Sequence, residues 1–346
     1  MPKIRVDMRS DTVSHPTPEM RKAMYEAEVG DDVYGDDPTT NRLQEKSAEM
    51  LGKEAALFVS SGTQSNLTAI LAQATRGDEI IVGDKSHIFN SEAGGASVLG
   101  GVVMYPVKTQ PDGTLAVDDI EAAVKPRDYH KPTTVLLCLE NTHNLTGGRT
   151  VTPEATQRMA DAGRKKGLRV HLDGARLFNA SVALECPVNE LTKPVDTVGF
   201  CLSKSLCCPI GSVLCGDEAF IHEAKRWRKV LGGGMRQVGI VAAAGIVALD
   251  TMVDRLADDH ANASKLAKGL AEIKGIKIDA EAVQTNIVRF GVPKGSGAKI
   301  AALLKDEGVY INPGDSDLRM VTHYWVSRSD IDFTLKAMRK AMAQVK

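Results

Sequence analysis

The sequence predicts an α/β protein: a mostly parallel central sheet with helices on both faces, followed by a smaller C-terminal α+β domain. Three observations lead there. Short apolar runs alternate with helical segments from Ala55 to Gly216, the pattern of strand–helix units on a parallel sheet. One run, Thr133-Thr-Val-Leu-Leu-Cys-Leu139, is apolar almost throughout, as in a strand covered on both faces. Beyond about residue 250 the alternation gives way to shorter strands and two helices. The large domain, with its N-terminal arm, is therefore assigned to residues 1–250 and the small one to residues 251–346.

In chain order, Met8-Arg9-Ser10-Asp11-Thr12 and the prolines at 16 and 18 argue for an extended arm, with a helix from Glu19 to about Glu28. Gly30–Pro38 is turn-rich, and its four acids read most simply as solvated. Tyr34 stands out there as an aromatic able to cover a ligand. A helix over Pro38–Leu51 has proline in its first turn. Strand Ala55–Val59 runs into Ser60-Ser61-Gly62-Thr63, which opens a helix to about Ala74. A small polar loop entering a helix is the geometry of a phosphate site, although a plain N-cap looks the same in sequence. Strands follow at Glu79–Val82, Gly101–Val107, Thr133–Leu139 and Leu168–Asp173, with helical segments at 84–92, 117–124 and 153–166 between them.

Asp196–Gly216 reads as two apolar strands with Lys204 at the turn, punctuated by Pro209 and Gly211. The next helix, from about Asp217, carries the basic run Lys225–Lys229, read as a solvated face. Gly232-Gly-Gly234 breaks it. A long helix from Val238 to about Ala257 is expected to bend onward to Ile273. The C-terminal part reads as strands at 277–279, 285–291, 309–312 and 318–325, with a helix at 298–307. A last helix carries Ile331, Leu335, Met338, Met342 and Val345 on one stripe.

Composition narrows the function classes. At 25% charged and 43% apolar residues, the 346-residue chain has the mix of a soluble globular protein. A net charge of −1 gives no general attraction to nucleic acid or membranes. No apolar run approaches membrane-spanning length, and Met1–Asp7 lacks an apolar leader core. The six cysteines show no C-x-x-C spacing, so no zinc or other metal site is expected, and reduced thiols in the cytoplasm are.

The chemistry is suggested by Lys204 and Asp173. A lysine between apolar strands is costly unless paired or made neutral, and lysine is the residue that condenses with pyridoxal phosphate. Asp173 ends a strand, as an acid needed for the pyridine nitrogen should. Both would lie at one sheet edge, where open α/β folds bind ligands.

With these residues in view, the sequence resembles the L-threonine aldolase family, low-specificity type, of fold-type-I pyridoxal-phosphate enzymes in the aspartate-aminotransferase superfamily. The resemblance covers nearly the whole chain. It is carried by Met-Arg-Ser-Asp-Thr at 8–12, Tyr-Gly-Asp-Asp-Pro at 34–38, Ser-Gly-Thr at 61–63, Ser-His-Ile-Phe at 86–89 and Glu-Asn-Thr-His-Asn at 140–144. It continues through His-Leu-Asp-Gly-Ala-Arg at 171–176, Leu-Ser-Lys at 202–204, Gly-Gly-Gly-Met-Arg-Gln at 232–237 and Arg-Met-Val-Thr-His at 319–323.

The resemblance implies that Lys204 is the Schiff-base lysine, Asp173 the partner of the ring nitrogen, and Ala175 the small residue beneath the ring. His87 would stack on the other face. Ser61, Gly62 and Thr63 would cradle the phosphate, with Ser203 nearby. Ser10, Arg176 and Arg319 would hold the substrate carboxylate, and His143 would lie near its hydroxyl. Arg236 and Tyr34 would reach the neighbouring subunit's site, implying a homodimer with shared sites and, by extension, a homotetramer. Ser205, Cys207 and Cys208 depart from the usual residues after the lysine, as do Gln64-Ser65 and Leu145-Thr146 in their motifs; none is a residue given a role above. The implied reaction is retro-aldol cleavage of an amino-acid substrate, L-threonine or L-allo-threonine, to glycine and an aldehyde. A β-eliminating lyase for serine- or cysteine-like substrates and a non-catalytic cofactor-carrying protein are the alternatives.

Overall fold

A computed structural model describes residues 4–345. Residues 1–3 of the stretch read for a leader, and residue 346, lie outside the described residues. The strands are Val6–Asp7 (β1), Ala55–Val59 (β2), Glu79–Gly83 (β3), Val103–Val107 (β4), Thr134–Glu140 (β5), Arg169–Asp173 (β6), Thr197–Cys201 (β7), Ser212–Gly216 (β8), Ile287–Gly291 (β9), Val309–Tyr310 (β10) and Asp317–Val321 (β11). Seven of them form the central sheet in the order β2-β8-β7-β6-β5-β3-β4. Only β8 runs against the rest, because it returns from the Lys204 turn as the second arm of a hairpin. The fold is α/β with a mostly parallel sheet. The ends of β2, β3, β5, β6 and β7 all lie on one edge, which delivers Ser61, His87, Glu140, Asp173 and Lys204 to the same side.

The sheet is buried because its strands have little but apolar side chains to offer. Leu57, Phe58, Ile80, Ile81, Leu136, Leu137, Val170, Val198 and Leu214 are all fully buried. A second apolar cluster gathers residues of the C-terminal part, among them Leu266, Val288, Phe290, Ile300, Leu304 and Met338. Val6 and Met8 of the N-terminal arm belong to this second cluster. β1 pairs parallel with β10, and Met8 exchanges backbone hydrogen bonds with Tyr310 and Val321. The arm then crosses to the main sheet, carrying Ser10 and Asp11 with it. No helix of the described residues is long and apolar enough to cross a membrane.

Several elements differ from the sequence reading. The long helix is two, Gly239–Thr251 and Leu256–Ala271; the second starts in the first apolar cluster at Leu256 and joins the other from Ala263. The expected strand at 277–279 is a single bridge, Lys277 to Gly291, before a 3-10 turn. Helices Gly95–Gly100, Leu177–Ala183 and Val188–Thr192 were missed, being too short to show a 3.6-residue period. The first helix is Pro18–Tyr25, capped by Thr17.

Two readings of charged stretches are corrected. The acids of the 30–38 loop are not simply solvated. Asp37 is fully buried and caps the helix Pro38–Leu51, and Asp32 is buried against Arg228 at 2.7 Å. Arg228 in turn is not part of a solvated basic face: it donates to the Phe58 carbonyl at 2.8 Å.

Candidate active site

A cavity of about 230 Å³ opens at the sheet edge, with Lys204, Asp173, Ala175 and His87 at one end and Ser10, Arg176 and Arg319 at the other. A larger groove near Lys265 and Arg339 is open to solvent and holds no such convergence.

At the first end, each oxygen of Asp173 has one neutral donor. Oδ1 accepts from the Ala175 N–H at 3.1 Å and Oδ2 from Asn66 Nδ2 at 2.9 Å. His87 begins the helix His87–Asn90, where Ser86 caps it, and its Nδ1 faces Glu92 Oε1 at 2.7 Å. The hydrogen bond to Glu92 raises the His87 pKa against the opposing effect of burial. Burial first, and then the neighbouring Asp173 charge, raises that of Glu92. The pair therefore holds a proton between the two atoms. Glu140 also lines the cavity; burial and Asp173 push its pKa up to about 7. Its oxygens accept the His87 N–H at 2.7 Å and the Asn144 N–H at 2.8 Å, which ties the loops after β3 and β5 together.

Behind Lys204 lies the start of the helix Gly62–Gln73. Ser61 caps it by accepting from the Gln64 N–H at 3.1 Å. The N–H groups of Gly62 and Thr63 and the Thr63 hydroxyl carry no hydrogen bond among the described residues. These free donors sit at the positive end of a 12-residue helix. A Cβ at Gly62 would come within 2.8 Å of Cys201 Sγ, so glycine is what lets the helix start close to β7 and the lysine turn. Ser203 lies half-buried beside Lys204.

At the other end, Arg176 is buried and forms a two-pronged pair with Asp11, with Nε–Oδ2 and Nη2–Oδ1 both 2.7 Å. Asp11 also receives the Ser205 hydroxyl at 2.8 Å and Asn286 Nδ2 at 3.2 Å. Burial alone would raise the Asp11 pKa, but Arg176, Lys204 and the Ser205 hydrogen bond outweigh it and hold the carboxyl well below the usual range. Arg319 has only neutral partners. It donates to Asn144 Oδ1 at 3.1 Å and the Arg9 carbonyl at 3.2 Å. Burial, with Arg176 nearby, lowers its pKa.

Ser61, Gly62, Thr63 and Ser203 are not among the residues that line this cavity, and neither are His143, Tyr34 and Arg236. His143 sits in a small void between Glu140 and Gly113, with Nδ1 unpartnered, and burial pushes its pKa down to about 4. Tyr34 is exposed, and Arg236 pairs with Asp31 at 2.9 Å. An acidic neighbour for Arg236 was not visible within its own motif, because Asp31 lies 205 residues away in sequence.

The beta-eliminating lyase family matches residues 7–292 of the chain. This protein is a member of that family. The lyase is 46% identical to low-specificity L-threonine aldolase 1 of Arabidopsis thaliana, over 97% of this chain and 96% of that protein. It is likewise 46% identical to the low specificity L-threonine aldolase of Escherichia coli strain K12, over 94% and 96%. In fold it is similar to a putative L-allo-threonine aldolase from Listeria monocytogenes EGD-E, with a TM-score of 0.81 at 20% identity, covering 98% of this chain and 97% of that one.

Sequence reasoning missed five residues of the lyase's site: Asp11, Asn66, Glu92, Glu140 and Asn144. Asp11, Glu140 and Asn144 stand inside the motifs at 8–12 and 140–144, but Arg176, His87 and Arg319, which they bond, come from other segments. Asn66 left one faint signal, a short polar side chain inside a helix, where its propensity is poor. Ser205, a departure from the family's usual residue, stands two hydrogen bonds from Arg176, through Asp11.

Proposed function

We propose that this lyase is a pyridoxal-phosphate-dependent aldolase that cleaves L-threonine, L-allo-threonine and similar β-hydroxy-α-amino acids to glycine and an aldehyde. The observation that carries the reading is the single cavity joining Lys204, Asp173 and His87 to Ser10, Arg176 and Arg319. The residues fit the cofactor. The free N–H groups of Gly62 and Thr63 suit a phosphate, Ala175 leaves room for a flat ring, His87 suits its other face, and Lys204 offers an amine to the aldehyde. When bound, pyridoxal phosphate supplies the electron sink for the bond that breaks.

The chain's own residues do the rest. Arg319 and Ser10 bind the substrate carboxylate, and Arg176 orients it with the edge that Asp11 leaves open. This anchoring would fix how the substrate's Cα and Cβ are presented to the cofactor. Asp173 would hold the cofactor's ring nitrogen and keep a proton on it. The two imidazoles divide the properties of a base for the β-hydroxyl. His87 lines the cavity, and its hydrogen bond to Glu92 raises its pKa; His143 is neutral with a free Nδ1 but does not line the cavity. A phosphate-bound water is the third candidate, and comparing His87→Asn with His143→Asn separates them.

The division into a large domain over residues 1–250 and a small one over 251–346 is part of this reading, with the cavity between them and the arm leaning on the small domain. So is a homodimer with shared sites. Tyr34 and Arg236 lie away from their own cavity, on loops that meet: the Arg236 carbonyl accepts the Asp32 N–H at 3.1 Å. Exposed Tyr25, Val33, Val230 and Ile240 belong to the neighbouring segments, and such apolar surface favours a partner. A second set, Val98, Leu99, Val103 and Tyr105, supports a homotetramer. Six free cysteines fit a reducing, cytoplasmic setting.

The test is the purified protein with threonine. Glycine and acetaldehyde are expected from the wild type and neither from Lys204→Ala. 2-Oxobutyrate and ammonia in their place, or pyruvate and ammonia when serine is the substrate, would establish β-elimination instead. Mixed Arg236→Ala and Lys204→Ala subunits should recover activity; a fully active monomer by light scattering overturns the shared site.

A further inference from the structure

One amide joins the supports at the Lys204 end of the cavity. Asn66 is 2% exposed, on the buried side of the helix Gly62–Gln73 and one turn after Gly62. Its Nδ2 donates to Asp173 Oδ2 at 2.9 Å and to Glu92 Oε1 at 2.8 Å, which uses both of its protons. Its Oδ1 faces His171 Nε2 at 3.1 Å, and His171 Nδ1 faces Thr197 Oγ1 at 2.9 Å. Gln73 Nε2 donates to the same hydroxyl at 3.2 Å.

These contacts admit one direction of donation. Burial pushes the His171 pKa down to about 4, so the ring is neutral and carries a single N–H. Asp173 and Glu92 accept, so the Asn66 NH₂ group faces the two carboxylates and its Oδ1 takes the Nε2–H of His171. Nδ1 of the neutral ring is then left to accept the Thr197 hydroxyl. Glu92 Oε1 also meets His87 Nδ1. A buried asparagine is a poor choice for a helix interior if only volume has to be filled; here it meets three polar partners.

We propose that Asn66 is a positioning residue that ties three supports to one helix: the phosphate donors at Gly62 and Thr63, the ring-edge acid Asp173, and, through Glu92, the ring-face imidazole His87. The proposal rests on the pyridoxal-phosphate reading above. Asn66 touches none of the reacting atoms, so its loss should degrade the chemical step and cofactor retention while sparing the distant carboxylate anchors.

The experiment compares Asn66→Ala and the isosteric Thr197→Val with wild type. It reads threonine kinetics, the pyridoxal phosphate dissociation constant, and the His87 ring nitrogen resonances before and after cofactor is added. Asn66→Ala should lower kcat about 10–100-fold, the usual cost of losing a residue that orients a working group, with KM within twofold. Cofactor affinity should fall and the His87 Nδ1 resonance should move. Thr197→Val should show the same pattern at smaller amplitude, and it decides alone if Asn66→Ala does not fold. Unchanged kcat with an unmoved His87 resonance overturns the proposal, as does a KM that rises in step with falling stability. If the wild type bound no pyridoxal phosphate, the cofactor reading would fall, while the His87 resonance in Asn66→Ala would still decide whether the amide couples the two carboxylates.

Discussion

Two acids at the Lys204 end of the cavity, Glu92 and Asp173, stand against two guanidinium groups at the other end, Arg176 and Arg319. In each pair one charge faces an opposite charge and one is held only by neutral partners. Glu92 faces His87 at 2.7 Å, whereas Asp173 has only an amide and a backbone N–H. Asp11 faces Arg176 at 2.7 Å, whereas Arg319 has only an amide oxygen and a carbonyl. The difference separates geometry from available charge. A charge already neutralised inside the protein can orient a ligand but adds little net attraction. Asp173 and Arg319 keep theirs available, as the roles proposed for them at the ring nitrogen and the substrate carboxylate require.

The largest way to break this comparison is Asp11→Ala. It leaves Arg176 buried and unpaired, which should cost about 3–5 kcal/mol of stability at pH 7. Urea unfolding measures it. The Asp11 pKa is lowered on folding, so its contribution is present above the ordinary carboxylate pKa and is lost as pH falls below that value. The gap between wild type and variant should therefore narrow in acid. A gap that is small at pH 7, or one that does not narrow, would mean that Arg176 does not depend on Asp11.

Asp173→Asn tests the other end. It should leave the fold intact and lower kcat by about 10²–10³, the usual cost of one positioned electrostatic group. Near-normal kcat in fully cofactor-loaded protein rules the role out.

The two ends should also respond to acid in different pH windows. His171, behind Asp173, has its pKa lowered from 6.5 to about 4. Its contribution is complete above pH 6.5 and is lost as pH falls toward 4. Glu140, raised to about 7, runs the opposite way between 4.5 and 7. The quantity to follow is thus wild type minus His171→Asn, which should shrink by at most about 3 kcal/mol across the His171 window. A pH-independent difference would place a charged His171 in the folded protein.

Arg319→Lys is expected to have the smallest effect. A point charge replaces a planar fork on the carboxylate, so KM for threonine should rise about tenfold, roughly 1.4 kcal/mol, with kcat little changed. Unchanged KM with weaker cofactor binding would move Arg319 out of the carboxylate end.

Much of the fold was legible because strand periodicity and turn residues are local. The last helix buries Ile331, Leu335, Met338 and Met342 as its stripe required, and the lysine hairpin appears with Gly211 at its turn. The site was legible only in part. Lys204 and Asp173 stand out in sequence because each ends an apolar strand, where a charge needs a reason. Asp11 sits 165 residues from Arg176, and Asn66 sits 107 from Asp173; no spacing rule spans such gaps. The basic run at 225–229 misled for the same reason: only the fold brings Asp32 to Arg228.

By itself, then, the sequence determined the α/β alternation, the strand ends that carry the acid and the lysine, and the helix start with free N–H groups, since these follow from side-chain periodicity and backbone stereochemistry over a few residues. The tertiary structure alone decided which charges are neutralised and which remain available. It turned His143 away from the cavity, paired Arg176 with Asp11, left Arg319 and Asp173 with neutral partners, and put Asn66 between two carboxylates. Those outcomes depend on burial and on distances of about 3 Å between segments far apart in the chain, and at that range desolvation and hydrogen-bond geometry, not residue type, set the charge a site can use.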